Sequence, residues 1–161
     1  MERALLRSCE SHHSSPRPSG PCTNCSMATN VPLFRYLSAW FCPFAHRATL
    51  ALEHHRGRVE YTWVEALGWY QQEWYYHWKA DELKRVNPSA LVPTLIPIEG
   101  GKAIESKSIW ESLVTVDFID AVSGATGSDR LVSDDPYEAA RCRIWTDKVN
   151  RECCSPYYGV L

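Results

Sequence analysis

The sequence contains no long hydrophobic run. Its apolar residues come in short stretches interrupted by charge or proline. None approaches the roughly 20 residues that a helix needs to cross a bilayer, so no membrane span is expected. A surplus of one charge is also missing: 17 Lys and Arg stand against 19 Asp and Glu, for a net charge of −2. No basic stripe gathers on any segment, and a nucleic-acid partner is not expected. The first thirty residues lack the apolar core of a secretory signal. With no such signal and an odd number of cysteines, 7 in all, a disulfide framework is not expected and a reducing compartment is. That makes a cytoplasmic address the expectation. Arg and Ser with only two acids, Glu2 and Glu10, in residues 1–30 leave organelle targeting open. No internal repeat is found.

What is there suits one core-bearing domain with chain to spare, since 161 residues are 45% hydrophobic. Residues 1–30 are rich in Ser, Pro and Gly and show no period, which reads as a disordered tail or targeting segment. Residues 33–38 read as a buried strand, and residues 43–55 as a helix with Phe44, Ala48, Ala51 and Leu52 on one face. Residues 59–65 alternate as a second strand. The stretch 67–86 is heavily aromatic, and its later part looks helical before Asn87-Pro88. A third strand is expected at 92–98. Glu99-Gly100-Gly101 turns it into a return strand at 102–104. A helix is then expected to open near Ser106, carrying Ile109, Leu113, Val116 and Ile119. The spacing of Ser108 and Glu111 would let its start slide by two residues. Residues 123–134 read as a linker, and a further helix is expected over 135–150.

The chemistry centres on "SAWFCPFAHRATLALE", residues 38–53. Cys42 falls between a strand and a helix, at the positive end of the helix macrodipole and among unpaired amides, an environment that favours the thiolate. Pro43 suits the first helical position. Ala45 occupies the place of the second cysteine in a Cys-x-x-Cys pair. Cys42 therefore closes no local disulfide, and as a lone nucleophile it needs an external thiol to resolve it. For an arbitrary Cys-Pro pair, burial in the core is the commoner fate. Here Val92-Pro93 opens a strand, where a proline would face such a cysteine, and this shifts the balance towards chemistry.

The set Cys42-Pro43-Phe44-Ala45-His46-Arg47, Asn87-Pro88, Val92-Pro93-Thr94-Leu95 and Glu105-Ser106 resembles the N-terminal domain of cysteine-type glutathione transferases. The omega class is most similar, with the lambda and dehydroascorbate-reductase classes near it. The resemblance covers about residues 33–121 and continues through "DDPYEAARCRIW", residues 134–145, into the first helix of an all-helical second domain. It implies a thioredoxin-like α/β domain (βαβαββα) over 31–122, a linker over 123–134, and over 135–161 the start of a helical domain that is cut short. It further implies that Cys42 is catalytic, forming a mixed disulfide with glutathione, and that Phe44 lies beside the tripeptide. The backbone of Val92, before a cis Pro93, would pair with the cysteinyl part. Glu105 and Ser106 would hold the γ-glutamyl end, and Lys79 would lie near the glycyl carboxylate. Departures from the pattern are His46 in place of glutamine and the longer aromatic stretch 67–78.

The implied function is glutathione-dependent thiol transfer, either deglutathionylation or dehydroascorbate reduction. Glutathione is the co-substrate, a small electrophile or disulfide is the acceptor, and no metal takes part. The alternative is a non-catalytic glutathione-binding or regulatory domain, since the acceptor pocket would be incomplete. A homodimer is one option for assembly. Cys22-x-x-Cys25 with Cys9, His12 and His13 lacks a second pair at zinc-finger spacing, which argues against a metal there. Cys153-Cys154 read as surface or core thiols rather than catalytic ones. The aromatic cluster 69–78 reads as buried against the sheet or the second domain. The simplest reading of Arg47 is a helix residue paired with a nearby acid.

Overall fold

The computed structural model describes residues 31–70 and 73–157, without the side chains of 69, 70, 73–77 and 157. The cysteines and histidines of the tail, and the side chains of most of the aromatic cluster, lie outside the described residues. The elements run β1 (Leu33–Ser38), α1 (Pro43–His54), β2 (Glu60–Glu65), β3 (Leu67–Tyr70), β4 (Glu73–Lys79), α2 (Asp81–Val86), β5 (Thr94–Glu99), β6 (Lys102–Ala103), a 3₁₀ turn (Glu105–Lys107), β7 (Ile109–Trp110), α3 (Ser112–Val122) and α4 (Pro136–Val149). A π-helical stretch, Asn150–Cys154, continues α4.

The main sheet has the order β2-β1-β5-β6, with β7 pairing on β5. β1 and β2 are parallel, and β5 is antiparallel to β1. This is the thioredoxin-like arrangement. Alternate side chains of each strand face opposite layers. Phe34, Tyr36 and Leu95 pack with Ala48, Ala51, Leu52 and Ile119 under α1 and α3. Leu37 and Ile96 pack with Leu83 and Val86 of α2 and with Ala66 and Leu67 on the other side. Small residues on the inner stripe of α1 let it lie close to the sheet: Ala45, Ala48 and Ala51 are buried.

Three expectations need correction. The aromatic stretch is mostly a hairpin, with β3 and β4 antiparallel and Gly68 opposite Trp78; only Asp81–Val86 is helical. Any Cβ at Gly68 would fall inside the Trp78 indole, so glycine is required there. The third strand begins at Thr94, after the Val92-Pro93 dipeptide. The helix expected from Ser106 begins at Ser112. Ile109 has helical spacing with Leu113 and Val116, but it is paired instead with Leu95 in the sheet. Glu111, with φ 74°, then separates strand from helix. No helix among the described residues is long and apolar enough to cross a membrane.

Beyond α3 the chain is pinned by one buried acid. Asp120 Oδ1 accepts from the Leu131 amide (2.7 Å) and from His55 Nε2 (3.0 Å). Its Oδ2 accepts from Arg130 Nε (2.8 Å) and the Val132 amide (3.3 Å). Burial opposes the charged carboxylate, but these donors outweigh it and hold the Asp120 pKa below the ordinary carboxylate value. Asp135 then caps α4, accepting from the amides of Tyr137 and Glu138.

Candidate functional site

Cys42 is the N-cap residue of α1, in extended backbone (φ −82°, ψ 113°). Its amide donates to the Ala39 carbonyl, and its carbonyl accepts from the His46 amide, each at 3.1 Å. The thiol is free and half-buried. It packs on the apolar cluster that also holds Ala39, Ala45, Ala66 and Val92. Pro43 opens the helix, and its first turn carries no acid, so nothing on that turn opposes an anion at the N-terminus.

The loop before Cys42 is braced from both sides. The Trp40 amide donates to Glu65 Oε1 (3.0 Å), and His46 Nε2 donates to the Trp40 carbonyl (2.8 Å). His46 therefore supports this loop. Beneath α1, the fully buried Tyr36 donates its hydroxyl to the Ala45 carbonyl (2.7 Å). Burial above all raises the Tyr36 pKa, with the neighbouring Cys42 adding to it, and the phenol stays protonated at neutral pH.

Strand register sorts the remaining site residues. Leu37, one residue from the Cys42 end of β1, lies opposite Thr94, and Thr94 lies opposite Trp110. The Val92-Pro93 peptide, which is cis, directly precedes Thr94 and so sits at this end. The buried Asn87 frames its loop, donating to the Leu91 carbonyl (2.8 Å) and Thr94 Oγ1 (3.0 Å). Lys79 belongs to the same end: the Ala66 amide donates to Ser38 O, and the Ala80 amide to Ala66 O. Phe44 lies on the first turn of α1, with the Arg47 guanidinium 4.9 Å from its ring centroid.

Glu105 and Ser106 are not brought to this end. The Ile104 amide bonds the Pro97 carbonyl, and Pro97 is level with Phe34, three residues back along β1. At about 3.3 Å per residue that is roughly 10 Å away from the Leu37 level. Glu105 pairs with Arg85 (2.9 Å), which holds its carboxyl below the usual range. Ser106 lines a cleft of about 580 Å³ with Leu33, Phe34, Phe118 and Val122. That cleft opens at the start of β1, away from Cys42.

A second Glu-Ser pair does lie at the Cys42 end. Glu111 and Ser112 follow Trp110 directly and form the N-terminus of α3, whose first turn also carries no acid. The sequence signal was present, since the pair immediately precedes the apolar period of α3, but the earlier Glu-Ser pair concealed it. Arg47, expected beside an acid, instead donates to Ser112 Oγ (3.0 Å) and Asn150 Oδ1 (3.1 Å). It thereby ties α1 to α3 and to the continuation of α4. No group of three or more potential metal ligands occurs among the described residues.

A family model described as "Glutathione S-transferase, N-terminal domain" matches residues 41–122. Glutathione S-transferase omega-1 of Sus scrofa is 32% identical over 108 residues, covering 67% of this chain and 37% of that protein. Probable glutathione S-transferase BZ2 of Zea mays is 35% identical over 117 residues, 70% of this chain and 43% of its own. The chain thus spans less than half the length of these relatives. Among solved structures, glutathione transferase Omega 1C of Trametes versicolor superposes with a TM-score of 0.59 at 23% identity, over 80% of this chain and 52% of that one. A Tau class enzyme from mango, Mangifera indica, gives 0.51 at 25%, over 73% and 45%. Both carry the same fold as this chain.

Proposed function

Because the chain belongs to the glutathione S-transferase family, we propose that it is a glutathione-dependent thiol transferase with Cys42 as its single nucleophile. The observation that carries this reading is a free, half-buried thiol at the N-cap of α1, on one apolar cluster with the residue before a cis proline. In this reading Cys42 thiolate attacks the glutathione sulfur of a mixed-disulfide substrate, and the substrate thiol leaves. A second glutathione then attacks the glutathionyl sulfur on Cys42, releasing glutathione disulfide and restoring the thiolate. The cysteinyl backbone of the tripeptide lies along Val92, its glycyl carboxylate towards Lys79, and Phe44 flanks it.

The γ-glutamyl end is assigned to Glu111 and Ser112, in place of Glu105 and Ser106. A carboxylate of the ligand meets the amides at the start of α3 and the Ser112 hydroxyl. Arg47 holds that hydroxyl from the other side, and Glu111 accepts from the ligand's ammonium.

The test is Cys42→Ser in the full chain, assayed for glutathione release from a glutathionylated peptide. Serine stays protonated at neutral pH, so transfer is expected to vanish while glutathione binding persists. Retained transfer would refute the single-nucleophile mechanism. Binding without transfer in the unsubstituted protein would instead point to a glutathione-binding regulatory domain.

A further inference from the structure

The β3–β4 ribbon takes no part in the site assigned above, apart from Lys79 at its root. β3 and β4 pair with each other and form a two-stranded sheet apart from the main one. Such an isolated pair is barely stable in water; a third strand or a covering layer is needed. The root is tied down. The Ala66 amide, just before β3, bonds Ser38 O, and the Ala80 amide, just after β4, bonds Ala66 O. Trp78 lies against Gly68, in the space a Cβ would take. Farther out the register shifts. Leu67, Gly68 and Trp69 stand opposite Lys79, Trp78 and His77, but Tyr70 stands opposite Glu73. Trp74, Tyr75 and Tyr76 are thus left without a position opposite them in β3. Among the described residues no strand lies along the outer edge of β4, and backbone groups on a free edge can pair with another strand.

β4 reads Glu-Trp-Tyr-Tyr-His-Trp-Lys. In chemical character this is close to a palindrome, with opposite charges at its two ends. Laid antiparallel on a second copy, about a two-fold axis at Tyr76, its positions match along their whole length. Glu73 meets Lys79, Trp74 meets Trp78, Tyr75 meets His77, and Tyr76 meets itself. Opposite charges and aromatic pairs directly across neighbouring strands both stabilise a sheet. The match belongs to this register alone. A parallel copy in register sets Glu73 on Glu73 and Lys79 on Lys79, and like charges directly opposite are destabilising. Any slipped antiparallel register separates Glu73 from Lys79 and leaves an end of β4 unmatched.

We propose that β4 is a self-association edge, through which two copies of this chain join by antiparallel β4–β4 pairing. The product is a four-stranded sheet in the order β3-β4-β4-β3. The contact is isologous, so each pair occurs twice except Tyr76 on the axis. It runs over 7 residues a side, about 24 Å of strand. The middle of β4, which β3 leaves unmatched, gains a partner, and the free edge disappears. A second copy is favoured over an unrelated peptide because one strand carries both halves of the charge pattern. The proposal is independent of the glutathione reading.

The experiment is sedimentation velocity on the full chain over a wide range of concentration, beside Glu73→Lys, Lys79→Glu and an equimolar mixture of the two. The unsubstituted protein should show a concentration-dependent dimer. Each single variant sets like charges opposite at both ends of the pairing and should raise the dimer dissociation constant at least about tenfold. The mixture restores both opposite-charge pairs in a heterodimer, so it should associate as the unsubstituted protein does. As a second measurement, Tyr76→Cys under mild oxidation should link two copies through position 76, since residues directly opposite in antiparallel strands lie within the Cα distance a disulfide allows. Peptide mapping identifies that link, and it decides the matter if a charge variant fails to fold. An unsubstituted protein that stays monomeric overturns the proposal. So does a dimer that neither charge variant weakens, which would place the contact on another face. A mixture of folded variants that associates no more tightly than either alone also overturns it, as do dimers of Tyr76→Cys that form no link at position 76.

Discussion

Asp120→Asn isolates the buried polar cluster that holds the chain just beyond α3 in place. In the native protein each carboxylate oxygen accepts from two donors: Leu131 N and His55 Nε2 on one, Arg130 Nε and Val132 N on the other. The side chain is fully buried. An amide turns one of those oxygens into a donor, so in either orientation two donors face a third. Orphaning two donors at about 1–3 kcal/mol each gives a loss of about 3 kcal/mol. For a chain of this size that is a fall in Tm of about 6–12 °C. Thermal melts followed by circular dichroism measure it, with Asp117→Asn, whose partner Arg143 is exposed, as a control expected to move Tm little. The pH dependence has a definite sign. The folded pKa of Asp120 lies below the unfolded value of about 3.9. Its contribution is therefore complete above that value and is lost as pH falls through the folded pKa. The native and Asn proteins should converge in stability only below about pH 4. A Tm change under about 2 °C at neutral pH, less than 1 kcal/mol by the same scale, would refute the account of Asp120 as the pin.

Two further outcomes follow from the site. Glu111→Ala should weaken glutathione binding about tenfold or more, the loss of one charge-assisted hydrogen bond, while Glu105→Ala leaves affinity unchanged; calorimetric titration decides, and the reverse ranking returns the γ-glutamyl end to Glu105 and Ser106. Arg47→Ala removes both ties at once, so hydrogen exchange in residues 146–154 should quicken at least tenfold, with Arg47→Lys intermediate because it cannot serve both oxygens with one fork. Unchanged exchange in Arg47→Ala would show that α4 and its continuation are held by other contacts.

The readable and unreadable parts of this sequence divide by the range of the contacts that define them. The strand–cysteine–helix junction is local: Leu33 to Ser38 is a short, mostly apolar run, Pro43 fits an N-terminal helical turn, and the small residues of α1 recur at helical spacing. The same holds for the loop after Asn87, whose side chain reaches only as far as Thr94. The start of α3 is different. Ile109, Leu113 and Val116 fit a helical period as well as any true helix does, and two Glu-Ser pairs compete for its N-terminus. What excludes Ile109 from the helix is its pairing with Leu95, a fact about the sheet that helical periodicity cannot carry. The hairpin was hidden for a related reason: Trp and Tyr fill six of the ten positions from 69 to 78 in two clumps around Gln71-Gln72-Glu73, so neither the two-residue nor the 3.6-residue period stands out. Arg47 is the extreme case. Its partners are 65 and 103 residues away, and from sequence it looked like any charged helical residue. Yet it is this side chain that ties α1 to the start of α3 and to the continuation of α4. The Cys42 junction is thus encoded in sixteen consecutive residues, while the geometry around it is encoded in pairs that only the folded chain brings together.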